Sequence, residues 1–146
     1  APNALFSAAR ILERSDRLTR AAETWERLLQ EYPAASISPR AQFLAGITYY
    51  RLGEDERALN AFQRQVVLST STTDQAAALL WIGKIQQRAG DIESARASWQ
   101  QAASLHLLNR GFLMPPELRG CLATSTTAAQ IGAFLDAFEQ LVRGAA

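Results

Sequence analysis

Apolar positions along this chain fall at helical spacing, and the pattern itself recurs. Trp25, Phe62 and Trp99 stand 37 residues apart. Ala21, Ala58 and Ala95 keep the same interval, as do Ala9, Gly46 and Gly83. So do Leu12, Tyr49 and Gln86, and so do Asp16, Gly53 and Gly90. A repeat of this length marks a helical hairpin that cannot bury its apolar side alone. Stacked copies share one continuous core and grow along a single direction.

The first unit spans 2–36. Leu5, Ala8, Ala9 and Leu12 predict a helix over 3–14 with one buried side. Ser15 or Asp16 caps a second helix over 17–32, whose inner side holds Leu18, Ala21, Ala22, Trp25, Leu28 and Leu29. Pro33 ends it, because proline has no N–H for a further turn. The second unit, 38–71, opens with Ser38 as N-cap and Pro39 at the first helical position. Ala41, Leu44, Ala45, Ile47, Thr48 and Leu52 face inward, and Gly53 suits a left-handed C-cap. A partner helix over 54–68 buries Ala58, Leu59, Ala61, Phe62 and Val66, and a polar Ser/Thr linker follows.

The third unit, 73–105, repeats the plan. Thr73 or Asp74 caps a helix carrying Ala78, Leu79, Ile82, Gly83 and Ile85. Gly90 and Asp91 close it and cap the next helix, with Ile92, Ala95, Trp99, Ala102 and Ala103 inside. Small residues at 46, 58, 83 and 95 admit close helix approach. The aromatic at 25, 62 and 99 is read as the wedge between one hairpin and the next.

Composition narrows the picture without adding chemistry. The chain is 48% apolar, enough for a core, and its formal net charge of +1 gives no general attraction to nucleic acid or membrane. Lys84 is the sole lysine and Cys121 the sole cysteine, so a disulfide framework and a cysteine-rich zinc site are excluded. No apolar run approaches the roughly 20 residues that span a bilayer. The chain begins Ala1-Pro2-Asn3-Ala4 without methionine or signal peptide, the pattern of a processed or trimmed N-terminus.

The middle unit carries the residues of a known pattern: Gly46 and Tyr49 in its first helix, Gly53 at the turn, Ala58 and Phe62 in its second. With Pro33 at the end of the first unit, the chain resembles the tetratricopeptide repeat family. The interval here is about three residues longer than that family's period of about 34. Gln86 replaces the usual aromatic, and Asp16 a glycine. The resemblance implies an all-α fold of three hairpins in a right-handed superhelix. The stretch 21–64, with Glu31-Tyr32-Pro33 and the run from Phe43 to Gly53, is also similar to helical repeats of bacterial cell-envelope proteins. Those include repeat regions of soluble lytic transglycosylases and lipoproteins of outer-membrane assembly. That likeness implies a periplasmic or extracytoplasmic setting.

Residues 106–146 break the repeat. Phe112-Leu113-Met114, before Pro115-Pro116, and Cys121-Leu122-Ala123-Thr124 are read as two short strands. Thr127 and Gln130 then form a capping box for a last helix with Ile131, Phe134, Leu135, Phe138, Leu141 and Val142 on one side. That helix is read as the cap which an open repeat stack requires. The run from Leu105 to Glu117 also resembles the end of glutamate-1-semialdehyde-type, pyridoxal-phosphate-dependent aminotransferases. A splice of unrelated segments is the alternative to a native cap.

Candidate chemistry is sparse. An aminotransferase needs a Schiff-base lysine, and Lys84 lies within a repeat helix at no matching position. No cofactor is therefore expected. His106, the single histidine, reads as a packed ring, because a catalytic imidazole needs an orienting partner. Cys121 reads as a structural thiol. Glu93-Ser94 resembles the Glu-Ser pair of lytic transglycosylases but lies on a helix without that family's surroundings. No metal-binding spacing or phosphate loop appears, and the chain is read as noncatalytic.

In tetratricopeptide repeats the first helix of each hairpin lines a concave groove. The resemblance places Arg14, Arg51 and Arg88 at one equivalent position of that face, and Arg10, Ile47 and Lys84 at another. Phe6, Phe43 and Leu80 share a third, and Glu13, Tyr50 and Gln87 a fourth. From these, Arg10, Arg14, Phe43, Ile47, Tyr50, Arg51, Leu80, Lys84 and Arg88 are the candidate partner-binding residues. Guanidiniums beside aromatics suit an acidic peptide or a carboxylate terminus, which arginine grips through two parallel bonds. The competing explanation is local, since a cation in the last turn favours the helix dipole in any case. The expected function is protein binding or scaffolding. The alternative is an accessory helical region of a peptidoglycan-cleaving transglycosylase whose catalytic domain lies elsewhere.

Overall fold

The computed structural model describes residues 1–113 and 127–145. Its seven helices are α1 (Pro2–Arg14), α2 (Leu18–Glu31), α3 (Ser38–Leu52), α4 (Asp55–Leu68), α5 (Thr72–Arg88), α6 (Ile92–Asn109) and α7 (Ala128–Ala145). The described residues contain no strand: Phe112 and Leu113, expected in one, are irregular. Met114, Pro115, Pro116 and the second expected strand at 121–124 lie outside the described residues. No helix among the described residues is long and apolar enough to cross a membrane.

The chain divides into two compact units, Ala1–Ser69 and Thr70–Ala146. In the first, α1 packs on α2, α2 on α3 and α3 on α4, so two hairpins stack. In the second, α5 packs on α6 and α7 makes a lighter contact with α6. Small and aromatic side chains build the core: Ala9, Ala21, Trp25, Ala41, Ala45, Ala58 and Phe62 are fully shielded in the first unit. Ala78, Ala95, Ala102 and Leu107 play that part in the second.

The turn inside each hairpin has a common backbone device. Asp16, Gly53 and Gly90 take φ of 56°, 78° and 85° at the same repeat position. Glycine enters this left-handed region freely, whereas a Cβ is crowded there and aspartate is one of the few tolerated exceptions. Asp16 therefore makes the turn and does not cap α2. The N-cap residue is Arg17, which makes no side-chain cap bond. Ser38 also departs from expectation. Ile37 precedes α3 as N-cap, while the buried Ser38 hydroxyl donates to the Tyr32 carbonyl at 2.6 Å and ties α3 to the end of α2. Ser71, in place of Thr73 or Asp74, caps α5 by accepting from the Asp74 amide at 3.3 Å.

Two expected caps are present. The Asp91 carboxylate accepts from the Ser94 amide at 3.1 Å, which holds its pKa below the ordinary value. Thr127 and Gln130 form the reciprocal capping box, with the Thr127 amide 2.9 Å from Gln130 Oε1 and the Gln130 amide 3.2 Å from Thr127 Oγ1. At the other end of the α5–α6 hairpin, Asn109 accepts from the Thr72 hydroxyl and donates to Thr73 Oγ1 at 3.0 Å.

The repeating aromatic closes its own hairpin. Trp25 meets Phe6 of α1 edge to face with centroids 5.1 Å apart, and Phe62 meets Phe43 of α3 likewise at 5.5 Å. A Cβ on Gly46 would fall 2.8 Å from the Phe62 ring, and one on Gly83 2.2 Å from Trp99 Nε1. Phe62 and Trp99 thus each sit on a glycine of their own hairpin's first helix, where the sequence pattern had suggested a wedge between hairpins. Three more readings are corrected. Ala8 and Ile92, expected inside, are exposed. The apolar side of α7 is only partly covered, with Leu135 58% and Val142 56% exposed, because its packing is limited to a lighter contact with α6.

Candidate partner-binding site

In the N-terminal unit the site residues come from α1 and α3. Arg10 lies one turn before Glu13, and its Nη1 stands 3.2 Å from Glu13 Oε2. Glu13 is 8% exposed, and its other oxygen accepts from Trp25 Nε1 at 3.3 Å and from Thr48 Oγ1 at 2.6 Å. One carboxylate therefore joins α1, α2 and α3. A buried charge is tolerated only when paired and hydrogen-bonded, and both conditions are met here.

Arg14 is exposed at the end of α1. Arg51, its equivalent on α3, is exposed and reaches back to the Asp16 carboxylate at 3.0 Å. Phe43 is half-buried, with its edge-to-face contact to Phe62 beneath it, and Ile47 and Tyr50 are half-buried on the same helix. The Arg40 guanidinium lies 5.8 Å from the Phe6 ring centroid.

Below this face the stacked hairpins are joined by a second polar cluster. The Tyr49 hydroxyl donates to Glu26 Oε1 at 2.9 Å. Arg57 covers the Tyr49 ring at 4.3 Å and pairs with both Glu26 and Glu54. Burial, with the Glu54 charge adding to it, pushes the Tyr49 phenol up to about 12.

In the C-terminal unit the site residues lie on α5. Leu80 is half-buried and its carbonyl accepts from Trp99 Nε1 at 3.2 Å. The Lys84 ammonium stands 4.8 Å from the Trp81 ring centroid, and Arg88 is exposed in the last turn. Gln86 Oε1, at the position equivalent to Tyr49, accepts from Ser98 Oγ at 2.7 Å. A cavity of about 280 Å³ between the end of α6 and α7 involves none of the predicted residues and is lined by Arg110, Phe112 and Asp136, among others.

The named residues of each unit combine basic with aromatic or aliphatic side chains and form no catalytic constellation among themselves. The described residues contain no cluster of His, Cys, Asp and Glu fit to hold a metal. His106 is half-buried on α6, and Glu93 is exposed in the first turn of that helix. Sequence reasoning missed the roles of Glu13 and Asp16. Asp16 had left a signal, since it stands where the other two repeats carry glycine.

Helical hairpins at a fixed interval, each carrying an aromatic ring at one repeat position and turned through a left-handed residue, define a helical-repeat scaffold. The Tetratricopeptide repeat family model matches residues 3–35, 40–64 and 77–106, more than half of the chain, and the chain belongs to that family. No curated protein matches it. Repeats of this family generally mediate protein–protein interaction and are typically noncatalytic.

Proposed function

We propose that this chain is a noncatalytic module that holds an acidic protein segment or peptide through the first helices of its hairpins. Arg10, Arg14, Phe43, Ile47, Tyr50 and Arg51 serve in the N-terminal unit, and Leu80, Lys84 and Arg88 in the C-terminal unit. The observation that carries this reading is the recurrence of an exposed arginine, Arg14, Arg51 and Arg88, at one repeat position of all three hairpins. Guanidinium pairs with carboxylate through two parallel hydrogen bonds, so an exposed arginine repeated in each hairpin favours an acidic ligand. The helix over 127–143 serves as the terminal cap in this reading.

The test is the triple variant R14E/R51E/R88E. The wild-type chain is used to capture its partner from the source lysate, and the partner is identified by mass spectrometry. The variant, shown by circular dichroism to keep its helix content, loses that capture. Undiminished capture overturns the proposal. The alternative role beside a cell-wall transglycosylase rests on the resemblance of 21–64, and binding of the isolated chain to purified sacculi would favour it.

A further inference from the structure

Asp16 holds a backbone conformation that the two other hairpins assign to glycine. Its carboxylate reaches Arg51, the guanidinium one repeat further on, at 3.0 Å. Gly53 and Gly90, at the equivalent turns, have no side chain to offer. A non-glycine residue in the left-handed region is disfavoured unless something else compensates. Here the tolerated aspartate also places a carboxylate on one of the arginines proposed to grip an acidic partner.

We infer that Asp16 is an internal competitor for Arg51: it occupies the guanidinium until a partner's carboxylate displaces it, and so sets the threshold of affinity for acidic ligands. The inference rests on the acidic-partner reading above. Asp16 Oδ1 takes Arg51 Nη2, and a partner's carboxylate competes for that same nitrogen. The Asp16 side chain is 82% exposed, so its release needs no unpacking of the core. An exposed pair of this kind shifts binding modestly, which suits a tuning contact.

The test uses the full chain and a fluorescein-labelled, end-blocked hexaglutamate peptide, with hexaglutamine as reference. Asp16→Gly restores the residue of the sister turns and removes the competitor. It binds hexaglutamate roughly two- to fivefold tighter than wild type. The gain vanishes in D16G/R51Q, which retains no guanidinium to release. Glu56→Gln, which removes an exposed acid on α4, reproduces less than half of the gain and thereby measures the general effect of charge. Thermal melts by circular dichroism establish that all variants are folded. Unchanged affinity for D16G, a gain that persists without Arg51, or an equal gain for E56Q overturns the inference alone, provided binding still needs the arginines. Binding that survives R14E/R51E/R88E overturns the acidic-partner reading. Absence of hexaglutamate binding by every variant overturns both.

Discussion

Trp25 in the N-terminal unit and Trp99 in the C-terminal unit occupy one repeat position, yet their indole N–H groups find different acceptors. Trp25 donates to the Glu13 carboxylate and is fully shielded. Trp99 donates to the Leu80 backbone carbonyl and is half-buried. The small residue at the matching repeat position differs as well, Gly83 in the third hairpin and Ala9 in the first. Gly83 has no Cβ, so the indole settles onto bare helix backbone and finds a carbonyl with a spare lone pair. In the first hairpin the indole N–H bonds the Glu13 carboxylate instead. A shared spacing thus sets which residue closes the hairpin. The polar partner of that residue differs from one hairpin to another.

The largest effect expected from this comparison is on stability. Trp25→Ala costs about 3–5 kcal/mol, the range for emptying a buried indole site, and it deprives a buried carboxylate of one donor. Trp99→Ala costs less, because part of that ring already meets water. Hydrogen exchange resolved by unit, with urea melts, measures both; equal losses would show that the two indoles are energetically alike. The small residues come next. Gly83→Ala forces the Trp99 ring off its seat and costs about 1–3 kcal/mol, as overpacking does. Ala9→Gly loosens α1 by about 0.5–1 kcal/mol and in addition removes one shielded methyl. The reverse order would show that Trp99 relocates without strain.

The smallest effect appears only in alkali. Tyr49 is raised from 10.0 to about 12 because burial favours the neutral phenol. Its contribution to stability is therefore complete below pH 10.0 and is lost as pH rises toward about 12. The C-terminal unit carries Gln86 at that position, which does not titrate. Exchange protection of α1–α4 should accordingly fall in this window, and Tyr49→Phe should remove this contribution to the fall. Retention of the full loss in Y49F would assign it to other groups.

The hairpins were legible because their signals are local. A residue's side of a helix follows from spacing, and Gly53 and Gly90 announce the turns. Glu13 was hidden because a charged residue on an amphipathic helix ordinarily reads as solvated. Its burial depends on Trp25 and Thr48, one of them 35 residues away. Asp16 suggested a cap because aspartate before a helix usually is one, and its pairing with Arg51 is equally remote in sequence. On α7 the error ran the other way. A strong apolar side reads as buried, but burial needs a neighbour, and Leu135 and Val142 are left exposed. Of the partner-binding face, the recurrence of arginine was visible in the sequence. The pairing of Arg10 with Glu13 and of Arg51 with Asp16 was not.

The bond between Thr48 and Glu13 gives the repeats an order. Position 48 corresponds to Ile85 in the third hairpin. If the modules were shuffled so that the third directly followed the first, an isoleucine would meet the Glu13 carboxylate and leave it short of a donor. Hairpins that look interchangeable by spacing are therefore keyed to their neighbours, and any rebuilt array must carry the key with the lock.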